Sequence, residues 1–274
     1  MSLDKKTYQG FADLLYDRCG IALGDQKEAL VSARIGKRLR TLGMTTFKEY
    51  LDLIKSPGPD AEKEFTEFMN VMTTNTTHFF REIDHFNFMA EAVQQMVAEG
   101  RTKIRIWCAA SSSGEEPYTL AMTFLENSQG FRGDCKILAT DIDYNILAMA
   151  RAGEYSEAKM KDVPQQLRTK YFTSTGMGKD RMYKANSTLA GMISFNRLNL
   201  AKPPFPMKGP FDLIFCRNVM IYFDNIVRKN LLAEFERLLR PGGYLMVGHS
   251  ESMAGGLCNL PSAGKPSIYV KPGK

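Results

Sequence analysis

Residues that could bind a small charged ligand follow two buried strands predicted from the sequence. The first strand is predicted over 103–110, and it leads into a turn of small residues that ends at Gly114. Small side chains let a ligand approach the backbone, and the N-terminus of the next helix favours an anionic group. The second predicted strand ends at Asp141, where an acidic side chain commonly accepts hydrogen bonds from a ribose. The turn lacks the GxGxxG pattern, which disfavours a nicotinamide enzyme, and the alternative role for Asp141 is to cap the following helix.

The elements that carry these residues alternate between strand and helix from residue 103 onward. Such alternation predicts a parallel sheet with helices on both faces, which binds ligands at the carboxyl ends of its strands. Further strand-like segments are expected at 135–143, 211–223, 241–252 and 266–271. The first 75 residues have helical periodicity instead, and we expect Asp4 to cap the first helix and Asp60 the fourth. The apolar stripe of the second helix consists of Val31, Ile35, Leu39 and Leu42.

A set of longer sequence strings carries a more specific signal. The strings are TNTTHFFRE (74–82), SSSGEEPYTLAM (111–122), ATDIDYNIL (139–147), FCRNVMIYF (215–223) and GGYLMVGHSES (242–252). In order and spacing they resemble the CheR family of chemotaxis receptor methyltransferases, over essentially the whole chain. The resemblance implies an α/β fold, a Rossmann-like methyltransferase sheet with a helical N-terminal domain and a small antiparallel β insertion. The implied domains are residues 1–76, which are helical, and residues 77–274, which bind S-adenosylmethionine (SAM) and include the insertion at about 160–191.

The resemblance also implies what the individual residues do. SAM is the implied cofactor, S-adenosylhomocysteine the product, and Arg81 and Tyr222 are the residues at the reacting centre. Arg81 would pair with the SAM carboxylate, which suits a guanidinium, while Asn199 and Leu200 would flank the adenine. The implied cofactor contacts are Asn75, Thr77, Arg81, Glu116, Asp141, Asn199, Leu200, Arg217 and Asn218. The alternatives are a dipole or capping role for Glu116 and an ordinary half-buried aromatic residue at Tyr222.

Positive charge is concentrated in parts of the chain. The net charge is +6, and basic residues outnumber acidic ones within 27–40, on the second predicted helix. The resemblance implies that this helix docks on the glutamate-rich cytoplasmic helical region of chemotaxis receptors. The implied docking residues are Lys27, Arg34, Lys37 and Arg38. The alternative is an ordinary solvated helix face. The loop 176–180 resembles only in part the region that holds a receptor tether in some family members, so tether binding is left open.

The predicted reaction needs no catalytic base. A glutamate side chain has a reference pKa of about 4.3, so at neutral pH it is already a carboxylate nucleophile. The protein would only have to align the reactants and exclude water. The lack of a Ser/His/Asp or Cys/His arrangement is therefore expected. His78 and His85, which are near the predicted site in sequence, are the competing candidates for a base.

Other classes of function are disfavoured by what the sequence lacks. Its five cysteines are scattered without a CxxC pair, so we predict no metal site. No apolar run approaches the roughly 18 residues of a membrane span and the N-terminus is not a secretory signal, so we predict a cytoplasmic monomer without membrane insertion. We also predict no nucleic-acid partner, because the (Asp/Asn)-Pro-Pro-(Tyr/Phe) motif of base methylation is absent after the fourth strand. A methyltransferase acting on RNA or another acidic substrate, and a non-enzymatic scaffold, are the alternatives.

Overall fold

A computed structural model of the chain describes residues 2–73, 76–251, 253 and 258–273. The N-terminal domain contains α1 (Lys5–Cys19), α2 (Glu28–Leu42), α3 (Phe47–Lys55) and α4 (Pro59–Met72). Asp4 caps α1 as predicted, because its side chain accepts a hydrogen bond from the Thr7 backbone N–H at 2.9 Å. The predicted cap at Asp60 is wrong: α4 begins at Pro59, whose fixed φ suits the first helical position, and Gly58 precedes it.

The apolar faces of these helices form one core. Phe11, Leu15, Tyr50 and Phe68 are completely buried in it. The stripe predicted on α2 is buried at Val31, Ile35 and Leu39, but Leu42 in the last turn is 37% exposed. The stripe therefore ends one turn earlier than the sequence periodicity indicates.

A six-stranded sheet forms the second domain, and its strands follow the order β6-β2-β1-β7-β8-β9. The strands are β1 (Lys103–Cys108), β2 (Asp134–Asp141), β6 (Ile193–Arg197), β7 (Phe211–Cys216), β8 (Leu239–Val247) and β9 (Ile268–Val270). All neighbours are parallel except β9, which pairs antiparallel with β8 at the edge. The chain order reverses between β1 and β7, and ligands bind such sheets at this switch point.

Helices cover both faces of the sheet. They are α5 (Ile83–Ala98), α6 (Glu115–Asn127), α7 (Tyr144–Ala152) and α10 (Asn225–Leu238). One core lies between the sheet and α5 and α6, and a second lies under α10 around the fully buried Trp107. The Trp107 indole N–H donates to Thr140 Oγ1 at 2.9 Å, which satisfies its one polar group. The strand expected over 211–223 ends at Cys216, which leaves 217–223 free to line a site.

The predicted β insertion is a three-stranded antiparallel sheet in the order β3-β5-β4. Its elements are β3 (Glu154–Ser156), α8 (Gln165–Tyr171), β4 (Phe172–Thr175), β5 (Met182–Ala185) and α9 (Ser187–Ala190). β4 and β5 form the predicted hairpin, with a single 3-10 turn at Gly178–Asp180. The insertion begins earlier than the predicted residue 160, because β3 pairs with the free edge of β5 and so belongs to the same small sheet.

The helical domain packs directly on the sheet domain. Ile21 forms an antiparallel bridge with Phe223, and the Ala22 N–H donates to the Tyr222 carbonyl at 2.9 Å. The Tyr16 hydroxyl donates to Asp224 at 2.7 Å. The N-terminal domain is therefore attached to the loop that follows β7. No helix within the described residues is long and apolar enough to cross a membrane.

Candidate functional site

A cleft of about 880 Å³, including its open mouth, lies at the carboxyl ends of the central strands. The predicted site residues that line it are Thr77, Arg81, Glu116, Asp141, Asn199, Leu200, Arg217, Asn218 and Tyr222. They come from distant parts of the sequence and meet where β1, β2, β6 and β7 end. Asn75 lies outside the described residues. The contacts of all these residues with a cofactor stay predictions.

The turn after β1 brings the backbone close to its neighbours. Gly114 has φ +97°, and a Cβ added there would lie 2.6 Å from the Tyr155 hydroxyl and 3.1 Å from Ala150, so only glycine fits. Ser112 also has a positive φ of 46° and donates its backbone N–H to Asp141 Oδ2 at 2.9 Å. Its hydroxyl is buried without a hydrogen-bond partner among the described residues, and Ser112 is one of the residues that line the cleft. An unsatisfied buried polar atom of this kind suits a polar ligand.

Asp141 is oriented by the backbone on both sides of the cleft. Its Oδ1 accepts from the Asp143 N–H at 3.1 Å, in addition to the bond from Ser112. Burial raises the pKa of the Asp141 carboxyl, although the backbone N–H groups oppose that effect. The alternative capping role does not apply, because Asp143 is the residue that caps α7, through Asn145 and Ile146. Asp141 is therefore free to accept hydrogen bonds from a ribose.

Arg217 is a buried connection between the walls of the cleft. Its Nη1 donates to Glu116 Oε2 at 2.8 Å and its Nη2 lies 3.1 Å from Glu82 Oε2. It also donates to the Arg81 carbonyl, and its guanidinium lies 5.3 Å from the centre of the Phe86 ring. Burial alone would raise the pKa of Glu82, but the Arg217 charge and the hydrogen bonds from Asn218 and Arg217 together outweigh burial and lower the pKa. Arg217 fixes the positions of Glu116 and Arg81 through these bonds.

Glu116 and Arg81 are two oppositely charged residues that line the cleft. Glu116 Oε1 accepts from the Cys108 thiol at 3.2 Å, and burial raises the pKa of that thiol, which keeps it neutral. The first helical turn of α6 has no side-chain cap, so Glu116 does not cap it. Arg81 Nη1 donates to the Thr76 carbonyl at 2.8 Å, which steadies the linker before α5.

Asn218 and Tyr222 lie on the loop after β7. Asn218 has φ +59°, and its side-chain N–H donates to Glu82 Oε1 at 3.2 Å. Tyr222 is half-buried at the end of a single 3-10 turn, Met220–Tyr222. Glu82 therefore contacts both Arg217 and Asn218. Glu82 lies inside the string TNTTHFFRE but is not among the site residues predicted from the sequence.

The wall predicted for the adenine consists of Asn199 and Leu200. Leu200 is buried and apolar, as a base-stacking surface requires. Asn199 uses both ends of its amide within the chain: Nδ2 donates to the Arg18 carbonyl at 2.7 Å and Oδ1 accepts from Ala201 at 3.0 Å. Its side chain therefore holds the end of α1 against the cleft as well as lining it.

Two of the four predicted docking residues point into the helical domain. Arg38 forms a bidentate ion pair with the buried Glu64, at 2.8 and 2.6 Å. Arg34 donates to the carbonyls at the end of α4, with the shortest distance of 2.7 Å to Met72. The guanidiniums of these two residues are therefore engaged within the helical domain by a buried carboxylate and by helix-end carbonyls, and their role in docking stays a prediction. Lys37 is exposed and Lys27 is half-exposed.

One group of potential metal-ligating side chains lies beside the cleft. The ligand-type atoms of Glu82, His85 and His249 lie within 4.8 Å of one another. Burial, reinforced by the Arg217 charge, lowers the pKa of His85 to about 4. Because the Arg217 guanidinium already neutralises Glu82, we assign no cation to this group. Among the described residues, no histidine lines the cleft itself.

Comparison with known proteins gives matches along both domains. The CheR methyltransferase all-alpha domain matches residues 6–73, and the CheR methyltransferase SAM binding domain matches residues 75–262. The chain is 39% identical over 255 residues to the chemotaxis protein methyltransferase of Escherichia coli K12, covering 93% of this chain and 87% of that protein. It is 40% identical over 246 residues to the probable chemotaxis protein methyltransferase of Rhizobium etli, covering 88% of this chain and 91% of that protein. A third relative, chemotaxis protein methyltransferase 2 of Pseudomonas aeruginosa, is 38% identical over 252 residues, covering 90% of this chain and 87% of that protein.

Proposed function

Since this chain belongs to the CheR methyltransferase family and its cofactor is SAM, we propose that it methylates glutamate side chains of methyl-accepting chemotaxis receptors. The products are glutamate methyl esters and S-adenosylhomocysteine. One observation carries the proposal for the reaction: the cleft gathers Arg81, Asp141, Asn218 and Tyr222, while no histidine lines it among the described residues. Such a site suits an acceptor that is already ionised and needs no base.

The residues of the cleft suit the parts of SAM. Asp141 holds two fixed oxygen atoms at the end of β2, where they can accept hydrogen bonds from the ribose hydroxyls. Leu200 offers a buried apolar surface to the adenine. Arg81 is the cation for the carboxylate at the amino-acid end, and Glu116 is an anion for the ammonium group. These residues would hold the cofactor across the switch point of the sheet.

When bound, SAM supplies a methyl group on a positively charged sulfur, and in-line attack by a carboxylate oxygen breaks the C–S bond and leaves S-adenosylhomocysteine. The chain's own part is to position and desolvate the two reactants. Tyr222 reaches the cleft from a turn that the helical domain holds through its backbone carbonyl, so its hydroxyl can orient the incoming carboxylate. Arg217 keeps Glu116 and the Arg81 backbone in place without leaving its buried position.

The exposed side of α2 suits an acidic receptor helix. Lys37 and Arg40 are exposed and three residues apart, so they lie on neighbouring positions of one helix face. Lys27 lies just before the helix and is the third basic residue available there. Arg34, which was predicted for the same face, bonds the carbonyls of Val71 and Met72. Docking is therefore proposed for Lys27, Lys37 and Arg40, with Arg34 and Arg38 holding the helix in place.

The experiment that tests this function is transfer of labelled methyl from SAM to receptor-bearing membranes. We expect the label to appear on receptor and to be released by mild base, because methyl esters hydrolyse under those conditions. Total RNA and membranes without receptor are the parallel acceptors. Label on RNA, or base-stable label on receptor, would contradict glutamate methylation.

A further inference from the structure

Glu251 is a buried carboxylate that does not line the cleft. Its side chain is 4% exposed, and none of the ion pairs among the described residues includes it. Three backbone N–H groups donate to it instead, from Asn218 at 2.8 Å, Met220 at 2.7 Å and Gly248 at 2.6 Å. A buried anion held only by backbone donors is costly unless its geometry is fixed. Those donors come from two separate loops, the one after β7 and the one after β8.

The bonds of Glu251 determine the path of the cleft loop. Asn218 has φ +59°, a conformation that non-glycine residues adopt rarely, and its N–H is bonded to Glu251. Met220 begins the 3-10 turn that ends at Tyr222, and its N–H is bonded to the other oxygen of the same carboxylate. One carboxylate is thus hydrogen-bonded to the backbone at Asn218 and at Met220, and the turn that begins at Met220 carries Tyr222.

The turn after β8 is fitted to the same loop. A Cβ added at Gly248 would lie 2.5 Å from Asn218 Nδ2, 2.9 Å from the Asn218 backbone nitrogen and 2.9 Å from Glu251 Oε2. Any larger residue at Gly248 would displace Asn218 or Glu251. The position of Asn218 is therefore fixed in two independent ways, by close packing against Gly248 and by its hydrogen bond to Glu251.

We propose that Glu251 is a positioning residue for methyl transfer, which acts by fixing Asn218 and Tyr222 against the bound cofactor and the acceptor carboxylate. The proposal deepens the function proposed above and rests on it for the transfer step. Glu251 itself touches neither cofactor nor acceptor. Loss of one of its acceptor oxygens should therefore change the cleft without changing any group that lines it.

The test is Glu251→Gln, which keeps the size of the side chain but replaces one acceptor oxygen with an NH₂ group. At least one backbone donor then faces another donor, so the loop should shift. We expect S-adenosylhomocysteine affinity to fall roughly 10-fold and single-turnover methylation at saturating SAM to fall at least as much, the scale of one lost charged hydrogen bond. Gly248→Ala should lower the affinity and the single-turnover rate in the same way without altering the buried charge. This variant tests the proposal if Glu251→Gln does not fold.

The matched control is Glu234→Gln. Glu234 is also a buried carboxylate that accepts from a backbone N–H, that of Phe205 at 2.7 Å, but it does not line the cleft and none of its hydrogen bonds reaches the loops after β7 and β8. This variant should lose stability while keeping affinity and turnover. Equal effects in the Glu251 and Glu234 variants, or normal affinity and turnover in Glu251→Gln, would overturn the positioning role. Because S-adenosylhomocysteine binding needs no acceptor, that readout decides the role of Glu251 even if the wild-type protein fails to methylate receptor.

Discussion

The side chains of the cleft differ in how much of their bonding capacity the protein itself uses. Both terminal nitrogens of the Arg217 guanidinium are bonded, to Glu82, Glu116 and the Arg81 carbonyl, so Arg217 is a structural centre more than a ligand contact. Arg81 bonds one backbone carbonyl and Asp141 accepts from two backbone N–H groups. The sequence could place these residues at the cleft because strand ends converge at one edge of the sheet. The sequence could not show which of these residues contact the ligand and which hold other residues in place, because that depends on the partner that each side chain bonds in the folded chain.

Arg81→Ala tests the cofactor contact. A charged hydrogen bond is worth roughly 1.5–3 kcal/mol, so the affinity for SAM should fall about 10- to 100-fold. Calorimetry on the folded variant measures this change. Arg132, an arginine of the same domain that does not line the cleft, offers the control substitution Arg132→Ala, which should bind normally. Unchanged affinity in Arg81→Ala would remove Arg81 from the site.

Tyr222→Phe tests what the hydroxyl contributes. If it orients the acceptor carboxylate, single-turnover transfer should fall by about 10-fold while SAM affinity stays constant, because one hydrogen bond to a charged group is lost. Tyr222→Ala should be more damaging than Tyr222→Phe. A fully active phenylalanine variant would show that only the ring is needed.

His85 should make the fold sensitive to acid. Its pKa is about 4 in the folded chain against an ordinary value of 6.5, so below pH 6.5 the unfolded chain binds a proton that the folded chain does not. The free energy of unfolding should therefore fall as pH decreases, by roughly 1.5 kcal/mol between pH 6.5 and 5. Urea unfolding of wild type and His85→Gln at both pH values measures this contribution. His78→Gln changes an exposed ring and should keep the wild-type pH dependence; equal dependence in all three proteins would contradict the assignment.

At the scale of elements, α2 shows where sequence reasoning succeeds and where it stops. The 3.6-residue periodicity identifies its buried stripe at Val31, Ile35 and Leu39. The spacing of Arg34 and Arg38 could not reveal that they bond the end of α4 and Glu64, because those partners belong to another helix. The β insertion was also predictable only in part. Its hairpin is indicated by glycines in the sequence, whereas β3 is three residues long and is defined only by its pairing with β5.

Charge reversal on α2 separates docking from stability. Lys37→Glu with Arg40→Glu should weaken receptor methylation strongly and leave both SAM affinity and the free energy of unfolding unchanged, because both residues are exposed. Raised salt should partly reproduce the defect in wild type, since exposed charges are screened within about 8 Å at 0.15 M. Initial methylation rates with receptor membranes provide the measurement.

Arg38→Ala is the contrasting change on the same helix. It leaves the buried Glu64 without its cation, so it should cost about 3 kcal/mol of stability. Receptor methylation by the fraction that stays folded should be normal. An Arg38→Ala protein that is as stable as wild type but methylates receptor poorly would show that Arg38 belongs to the docking surface.

At the scale of the whole molecule, the helical domain and the sheet domain build one cleft. Cys19 and Ile21 from the end of α1 line it together with the strand ends, and Asn199 bonds the Arg18 carbonyl across the boundary. The order of helical and alternating segments was sufficient to predict both domains. Their mode of contact was not predictable, because the bridge between Ile21 and Phe223 joins segments about two hundred residues apart without a pattern in either.

We propose that this assembly aligns SAM with a carboxylate that is already ionised. The most direct test is the pH dependence of single-turnover methyl transfer at saturating SAM, because product release is then excluded from the rate. We predict a rate that rises with the titration of the acceptor glutamate and stays level from about pH 6 to pH 9. An inflection between pH 6 and pH 9 that disappears in His78→Gln or His85→Gln would contradict this alignment mechanism and identify a catalytic base.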